Sequence, residues 1–212
     1  SSFASGNNMI NNRTYGGSTG IQNAAFAIGA TSPTTTCVEE YDGTNWSAGD
    51  ALITGRGEGV HSTQGITNSS IVAGGYTSAN PAGDRVTEEY NGSSWSTVAP
   101  MMKIQISGAS SGKVDNFMTV GSPSGPSYTP YCAINQEYNG VNWSFGYPLP
   151  YSLDYGKGLS NGDPGDTGGQ GMVFSGRTSA PNNYNTYTYC CSLKGILGAG
   201  LQCFIANVTM ET

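Results

Sequence analysis

Short apolar runs alternate with polar, glycine-rich stretches along this chain. In one stretch, the run Ile71-Val72-Ala73 ends at Gly74-Gly75. A run of this length is typical of a buried β-strand, and the glycines indicate a point where the backbone turns or passes close to a neighbour. The segments around this run predict three more strands, at Gly57–Thr63, Arg85–Tyr90 and Ser93–Val98. Four short strands of this kind predict one antiparallel sheet.

Two of these strands are separated by Asn91-Gly92, and the same pair of residues stands at Asn139-Gly140. Asn-Gly favours a type I′ turn because both central residues of that turn need positive φ. The sequence therefore predicts a tight two-residue hairpin turn, with positive φ at both positions, in each place.

The four-strand pattern recurs along the chain. Three segments align without gaps, at Glu39–Ser47, Glu88–Ser96 and Gln136–Ser144, and they contain all three tryptophans. A fourth and more divergent copy contains Met172–Gly176 and Tyr187 but no tryptophan. In the three clear copies the tyrosines are spaced by 49 and 48 residues. The aromatic residues that define the repeat, which we expect in equivalent buried positions, are Tyr41, Trp46, Tyr90, Trp95, Tyr138 and Trp143.

The repeats predict a single domain over residues 1–212. They cover approximately residues 7–52, 53–101, 102–149 and 150–198, and residues 199–212 are expected to supply a C-terminal strand that completes the last unit. One sheet of this size cannot bury both of its faces alone, so the copies are expected to stack on one another. The stack either closes on itself or forms an open arc that another chain completes.

The order of the motifs is similar to that of a known repeat family. An apolar strand, Gly-Gly, a variable loop, Glu-Tyr, an Asn-Gly turn and Trp follow one another in Ile71–Met101, and this order resembles the kelch repeat. The resemblance implies an all-β fold, a kelch-like β-propeller of about four blades, each a four-stranded antiparallel sheet. The motif Glu-Glu-Tyr-Asn-Gly-x-x-Trp-Ser at Glu88–Ser96 also resembles repeats in virion proteins of tailed bacteriophages.

Composition excludes several classes of partner. Charged residues make up 10% of the chain, and 8 Lys and Arg stand against 14 Asp and Glu, which gives a net charge of −6. With no basic excess to neutralise phosphates, neither nucleic acid nor an acidic membrane surface is an expected partner. Apolar runs are also much shorter than the roughly 20 residues of a transmembrane helix, so no membrane insertion is expected. The chain begins at Ser1 without Met, as expected of a processed N-terminus or of a piece of a longer product.

Few residues offer catalytic or metal chemistry. His61 is the sole histidine, and we expect it to be a partly exposed strand residue rather than a ligand in a central channel. The pairs Glu39-Glu40 and Glu88-Glu89 recur with the repeat, so we expect hydrogen bonding between blades rather than acid–base catalysis. The five cysteines show no metal-ligand spacing, and Asn161–Asp166 predicts an acidic turn rather than a cation site. The sequence thus predicts no enzyme activity, catalytic residue, metal site or cofactor.

The loops between the second and third strands offer recognition chemistry instead. They are predicted at Thr31–Thr36, Tyr76–Asp84, Ser122–Thr129 and Arg177–Asn185, which would place them together at one rim of a propeller. Tyrosine among small polar residues is typical of adaptable recognition surfaces. The candidate contact residues in these rim loops are Tyr76, Asn80, Tyr128 and Tyr184.

The resemblance to phage repeats implies a non-enzymatic structural, decoration or adhesion protein of a bacteriophage virion. Such a protein would lie on the tail, fibre or capsid surface, and would be extracellular. Its expected partners are other virion proteins or copies of itself, with a host-surface glycan as a further candidate. A secreted carbohydrate-binding kelch-type module is the alternative function, and a glycan-active enzyme is a third.

Overall fold

The computed structural model describes residues 5–31, 34–61, 68–80, 83–121, 132–149, 152, 157–160, 170–174 and 186–190. Within these ranges the regular structure consists of β-strands alone, which confirms the predicted all-β class. Every strand pair is antiparallel.

The strands form four larger sheets and one small one. The first sheet contains β1 (Gly17–Ile21), β2 (Ala24–Thr31), β3 (Thr34–Tyr41) and β4 (Trp46–Ala48) in that order. Next along the chain are β5 (Arg56–Gly57), β6 (Val60–His61), β7 (Ser70–Ala73), β8 (Tyr76–Thr77), β9 (Thr87–Tyr90) and β10 (Trp95–Val98). Of these, β6, β7, β9 and β10 form the second sheet, and β5 pairs with β8.

The third sheet contains β11 (Ala109–Lys113), β12 (Asn116–Val120), β13 (Asn135–Tyr138) and β14 (Trp143–Phe145) in that order. The fourth has three strands in the described residues, β15 (Lys157–Ser160), β16 (Gln170–Phe174) and β17 (Thr186–Cys190). Each of the four larger sheets therefore takes its strands from one stretch of the chain.

The sheets stack face to face. Successive residues of a strand point to opposite faces, so one strand can contribute to an apolar layer on each side of its sheet. In β7, Val72 joins an apolar cluster with Phe26 of the first sheet. Its neighbours Ile71 and Ala73 join a different cluster with Phe117 of the third sheet. The second sheet is thus packed between the first and the third, with an apolar layer on each side.

The first strands of successive sheets contact one another in chain order, β1 with β6, β6 with β11, and β11 with β15. Glycine permits this close approach. A Cβ atom at Gly17 in β1 would overlap the ring of His61 in β6, and one at Gly158 in β15 would overlap the backbone of Ser110 in β11. The Ser110 hydroxyl also donates a hydrogen bond of 2.8 Å to the carbonyl oxygen of His61. These four strands therefore line one side of the stack.

Two strand assignments in the second repeat differ from the sequence prediction. The strand predicted at Gly57–Thr63 is divided between β5 and β6, with Glu58 between them in the left-handed region at φ 55°. β9 begins at Thr87 rather than at Arg85. The Asp84 carboxylate accepts the backbone N–H of Arg85 at 2.6 Å, and this local hydrogen bond competes with strand pairing.

The described residues of the segment Thr31–Thr36, which was predicted to be a loop, lie in strands. Strands β2 and β3 instead continue to pair as far as Thr31 and Thr34, so most of this segment belongs to the sheet. The consecutive threonines at positions 34 to 36 suit a strand, because β-branched residues pack well on a pleated surface. The rim loops therefore differ in size between the first and second repeats.

The Asn-Gly turns are shifted by one residue from the prediction. The backbone N–H of Asn91 donates to the carbonyl oxygen of Ser94 at 3.3 Å, so Gly92 and Ser93 form the tip. Gly92 has the predicted positive φ, at 95°. Asn91 does not, because its side-chain oxygen accepts the backbone N–H groups of Ser93 and Ser94, both at 3.0 Å, and holds it as a local cap. The predicted type I′ turn, with positive φ at both Asn and Gly, is wrong.

The same turn occurs once in each of the three clear repeats. The oxygen that accepts the two backbone N–H groups belongs to Asp42 in the first repeat and to Asn139 in the third. Gly43 and Gly140 follow with φ of 95° and 88°. A carboxylate and an amide oxygen thus serve equally well at this position, which is why the chain uses both Asp and Asn there.

We expect Gly92→Val to lower the free energy of unfolding by about 1–3 kcal/mol, the usual cost of a non-glycine residue in a disfavoured backbone region. A Cβ at this position would also lie 3.1 Å from the Cβ of Asn68. Urea unfolding followed by tryptophan fluorescence measures the loss. Ser93→Val is the matched control at the other tip residue, where φ is not positive. Equal losses in the two variants would contradict the strain argument.

Candidate interaction surface

A tyrosine and a tryptophan stack on each other in each of the first three sheets. Tyr90 pairs with Trp95 across adjacent strands, and their ring centroids are 5.2 Å apart with the planes inclined at 38°. The pair Tyr138 and Trp143 has the same separation of 5.2 Å and an inclination of 37°. Offset ring stacking of this kind adds to the stabilisation that burial alone provides. The repeat therefore builds one aromatic unit on the outer two strands of each sheet.

The preceding sheet or its outer segment covers this aromatic unit. For the second sheet, Phe26 packs edge-on against Tyr90 at 5.4 Å. Asp50 accepts two hydrogen bonds from this unit. Its backbone carbonyl oxygen accepts the Trp95 indole N–H at 3.0 Å, and its carboxylate accepts the Tyr90 hydroxyl at 3.1 Å. Burial, the hydrogen bond to the Asp50 carboxylate and the nearby negative charges of Glu40 and Asp50 raise the pKa of Tyr90 to about 12. The tyrosine hydroxyl therefore stays protonated and acts as a donor.

The third sheet repeats the arrangement with different acceptors. The Trp143 indole N–H donates to the hydroxyl of Thr87 at 3.1 Å, and the Tyr138 hydroxyl hydrogen bonds to the Glu89 carboxylate. Burial and Glu89 raise the pKa of Tyr138 as well. Both acceptors lie on β9 of the second sheet. Each covering surface thus supplies an oxygen for the indole and a carboxylate for the phenol.

The prediction that the three tryptophans occupy equivalent buried positions holds in part. All three face a tyrosine in the same register, and the Tyr41–Trp46 rings are 5.0 Å apart at 37°. Trp95 and Trp143 are each 6% exposed. Trp46 and Tyr41 are only half-buried. The position is equivalent, but the first pair lacks the covering sheet that the other two have.

In the first two repeats, a buried ion pair ties the segment leading into the sheet to the third strand of that sheet. Arg56 and Glu88 are 2.5 Å apart with both side chains buried. The Glu88 carboxylate also accepts the backbone N–H groups of Ile53 and Thr54, at 2.8 and 3.1 Å. Arg56 donates to the carbonyl oxygens of Gly74 and Val86, at 2.9 and 2.8 Å. These bonds satisfy the desolvated charges, as a buried pair requires.

The first repeat has the same arrangement. Arg13 lies 2.7 Å from Glu39, whose carboxylate accepts the backbone N–H groups of Ile10 and Asn11. Burial alone would raise the pKa of Glu39, but the hydrogen bonds from Arg13 and these backbone groups outweigh it and lower the pKa below its usual range. Glu39 is therefore ionised at neutral pH and neutralises Arg13.

The third repeat replaces the ion pair with two neutral amides. Gln136 stands where the other repeats have Glu, and Gln105 stands where they have Arg. The Gln136 amide donates to the Gln105 oxygen at 3.0 Å, and its own oxygen accepts the backbone N–H of Lys103 at 2.7 Å. Gln105 donates to the carbonyl oxygen of Gly121, in the place where Arg56 bonds Gly74. Both partners changed together, so no charge was left unpaired.

The two glutamates of each pair therefore have different roles. The first, Glu39 or Glu88, bonds within its own repeat, so the expectation of hydrogen bonding between blades is wrong for it. The second of the later pair, Glu89, does bond across two sheets, to Tyr138. Sequence alone could not separate the two roles, because adjacent strand residues point to opposite faces and both faces of this sheet are covered.

We expect Glu89→Gln to stabilise the protein at neutral pH. Burial raises the pKa of Glu89 above its ordinary value of 4.5, so ionising it in the folded state has a cost. The cost is present above the raised pKa and disappears as the pH falls to the unfolded value. We expect a gain below about 1 kcal/mol at pH 7, since the group is partly screened by solvent, and no gain near pH 4. Thermal melts of both proteins across this range measure it, and a gain that persists at pH 4 would contradict the argument.

The predicted rim-loop contacts fall into two groups. Tyr76 is half-buried in β8, and Asn80 is exposed in the turn that follows, where its backbone N–H donates to the hydroxyl of Thr77 at 3.0 Å. Both residues therefore have exposed surface on the second repeat. Tyr128 and Tyr184 lie outside the described residues.

Sequence reasoning missed a row of exposed apolar side chains. Ile10 and Ile53 are each 58% exposed, and Met102 is 44% exposed. Each stands three residues before the Arg or Gln of the buried pair, so the three positions are equivalent in successive repeats. In the second and third repeats the preceding residue, Leu52 or Met101, is buried. Two adjacent apolar residues ordinarily indicate that both side chains are buried in the core. Here only the first residue of each pair is buried. We call Ile10, Ile53 and Met102 the linker row.

The described residues contain no group of three or more His, Cys, Asp and Glu side chains that could hold a metal ion. His61 is half-buried on β6, with its ring against Gly17. The parts of the chain with a described conformation also include no helix long and apolar enough to cross a membrane. The charged side chains described above form hydrogen bonds and ion pairs within and between the sheets.

Comparison with known proteins identifies the fold and nothing finer. No protein-family model and no curated protein matches the sequence. Among solved structures, the chain is similar to that of YjhT, with a TM-score of 0.60 and 13% sequence identity. The match covers 81% of this chain and 52% of the YjhT chain, so it extends over about half the length of that protein. At this identity the likeness shows a shared fold alone.

Proposed function

We propose that this chain is a kelch-like β-propeller arc that acts as a non-enzymatic structural or decoration protein of a bacteriophage virion. The linker row is the observation that carries the proposal of a contact function. Exposed apolar surface that forms a patch marks an interaction site, and here one exposed apolar side chain stands at the same position in three repeats. Ile10, Ile53 and Met102 occupy equivalent positions in the first three repeats, which ties them to the repeat and not to one loop.

The assignment to a virion rests on the resemblance of the Glu-Glu-Tyr-Asn-Gly-x-x-Trp-Ser motif to phage repeats. The four larger sheets, stacked in chain order with their first strands in contact, support the propeller-like arrangement. The low charge, at 10% of residues, leaves a neutral surface suited to packing against other proteins. The partners we propose are other virion proteins and copies of this chain, in an extracellular particle.

A secreted carbohydrate-binding module is the second candidate. Tyr76 and Asn80 support it, because an aromatic face beside an exposed amide is suited to a sugar ring. A panel of immobilised glycans distinguishes the two proposals. Saturable glycan binding that Tyr76→Ala abolishes, by a chain that is absent from particles, would favour the second candidate. Turnover of a glycan substrate would contradict both.

The virion proposal is tested on purified phage particles that encode the chain. We expect the protein in them at a fixed copy number set by the particle's symmetry, as measured by quantitative mass spectrometry. Particles stripped of the chain should rebind the purified protein, and Ile53→Asp should weaken this binding at least about tenfold, or roughly 1.4 kcal/mol. Val141→Asp is the matched control, since Val141 is 68% exposed in the turn that follows Asn139-Gly140 and is not part of the linker row. Absence from the particles, or equal binding by both variants, would contradict the proposal.

A further inference from the structure

The face of the first sheet that points away from the second carries an aromatic pair with no sheet over it. Tyr41 and Trp46 have the same stacking geometry as the two buried pairs. Both are half-buried, whereas Tyr90 and Trp95 are 5% and 6% exposed. In the described residues neither the Tyr41 hydroxyl nor the Trp46 indole N–H makes a hydrogen bond, although the equivalent groups of the second sheet both bond to Asp50.

The N-terminal segment covers this pair only in part. Asn7 stands where the second repeat has Asp50, but its side chain donates to the Thr44 carbonyl oxygen and to the Asn45 side chain, at 2.8 and 2.9 Å. It therefore bonds the turn beside the aromatic pair. The apolar second strand that packs over the later pairs, with Phe26 on the second sheet and Ile71 on the third, has no counterpart here.

The described strands of the fourth sheet do not take that place. First strands of neighbouring sheets are in contact throughout the described stack, from β1 to β15. In the ranges that the structure describes, no contact of similar extent joins β1 to β15. The described strands of the first and last sheets are therefore not joined in the way that neighbouring sheets are.

We propose that a second copy of this chain covers the open face of the first sheet. In the first two sheets, the face that points toward the next sheet packs on the tyrosine–tryptophan pair of that sheet. The same face of a sheet in a second copy would fit Tyr41 and Trp46. Among the contacts between the described sheets, the face of the fourth sheet that points away from the third is the one not used. The contact is thus head to tail, between unlike surfaces of two copies, and such contacts build rings or filaments. This inference rests on the proposed function and names one of its partners.

The test is the molar mass of the full chain, measured by light scattering and sedimentation from about 1 to 100 µM, the range in which functional self-association is commonly seen. We expect the wild type to form multiples of the 22.0 kDa protomer. Trp46→Glu should remain at 22.0 kDa with an unchanged circular dichroism spectrum. Val141→Glu, which alters an exposed apolar residue elsewhere, should assemble as the wild type does. A monomeric wild type, or assembly that survives Trp46→Glu, would overturn the inference.

A second measurement decides the matter if Trp46→Glu does not fold. Iodide quenching of the wild-type tryptophan fluorescence reports mainly on Trp46, because the other two tryptophans are buried. Quenching should fall as the concentration rises, and quenching that is independent of concentration would contradict the inference. Failure of the virion proposal and failure of the self-association proposal can be distinguished. The variant Ile53→Asp should self-associate as the wild type does and lose only its binding to particles. Self-association through Trp46 by a chain absent from virions would leave the inference standing without the virion role.

Discussion

Glu88→Gln is expected to lower the free energy of unfolding by about 3–5 kcal/mol, the usual cost of leaving one partner of a buried ion pair without its counter-charge. Arg56 would keep its charge in a site where its side chain is 1% exposed. It also donates to the carbonyl oxygens of Gly74 and Val86, so it cannot turn out to solvent without breaking those bonds. Chemical denaturation at pH 7 measures the loss.

The chain itself provides the matched control for this experiment. Its third repeat has Gln105 and Gln136 in place of Arg and Glu, so the double variant Arg56→Gln with Glu88→Gln copies an existing solution. We expect the double variant to be more stable than either single variant, because no buried charge is left unpaired. A double-mutant cycle measures this coupling directly. Losses that simply add would show that the charges do not depend on each other.

Trp95→Ala is expected to cost about 3–5 kcal/mol, the usual range for removing a buried aromatic side chain. The substitution removes the ring that stacks on Tyr90 and leaves the carbonyl oxygen of Asp50 without its indole donor. Urea unfolding, followed by circular dichroism on dilute protein, measures the loss.

Trp46→Ala is the control, since it removes the same ring from the same register position on an uncovered face. We expect it to cost less than half as much as Trp95→Ala, because the half-buried ring has less area to lose to solvent. Trp143→Ala should resemble Trp95→Ala, as both rings are 6% exposed. Equal losses at all three positions would contradict the description of sheets stacked in one direction.

The repeat and its aromatic unit could be predicted from the sequence because they depend on fixed short spacings. Tyr90 and Trp95 lie on adjacent strands joined by a tight turn, so their contact follows from local structure alone. The turn itself was mispredicted by one residue. Asn followed by Gly favours the type I′ turn, but the same Asn can cap the turn with its side chain, and the sequence does not separate these outcomes.

The buried ion pairs could not be predicted in the same way. Arg13 and Glu39 are separated by 26 residues, and Arg56 and Glu88 by 32, so no local pattern connects them. The arginines also lie outside the segments that align most clearly. A comparison of the three repeats does contain the signal, since Arg changes to Gln105 in the one repeat where Glu changes to Gln136.

The exposed linker row escaped prediction for a related reason. Leu52-Ile53 and Met101-Met102 are apolar pairs, and an apolar pair next to a strand ordinarily indicates core. The backbone N–H of Ile53 bonds to the buried carboxylate of Glu88, which fixes the backbone there while the side chain points to solvent. Only the three-dimensional structure shows which member of each pair is buried.

The central claim, that this protein acts through the surface bearing the linker row, is tested most directly by hydroxyl-radical footprinting of the chain in purified particles and free in solution. Radicals oxidise exposed side chains, and methionine, the residue at position 102, is a residue type that oxidises readily. The account predicts that oxidation of Ile10, Ile53 and Met102 falls several-fold in the particle, while oxidation of Val141 falls less. Equal oxidation of the linker row in the two samples would contradict it.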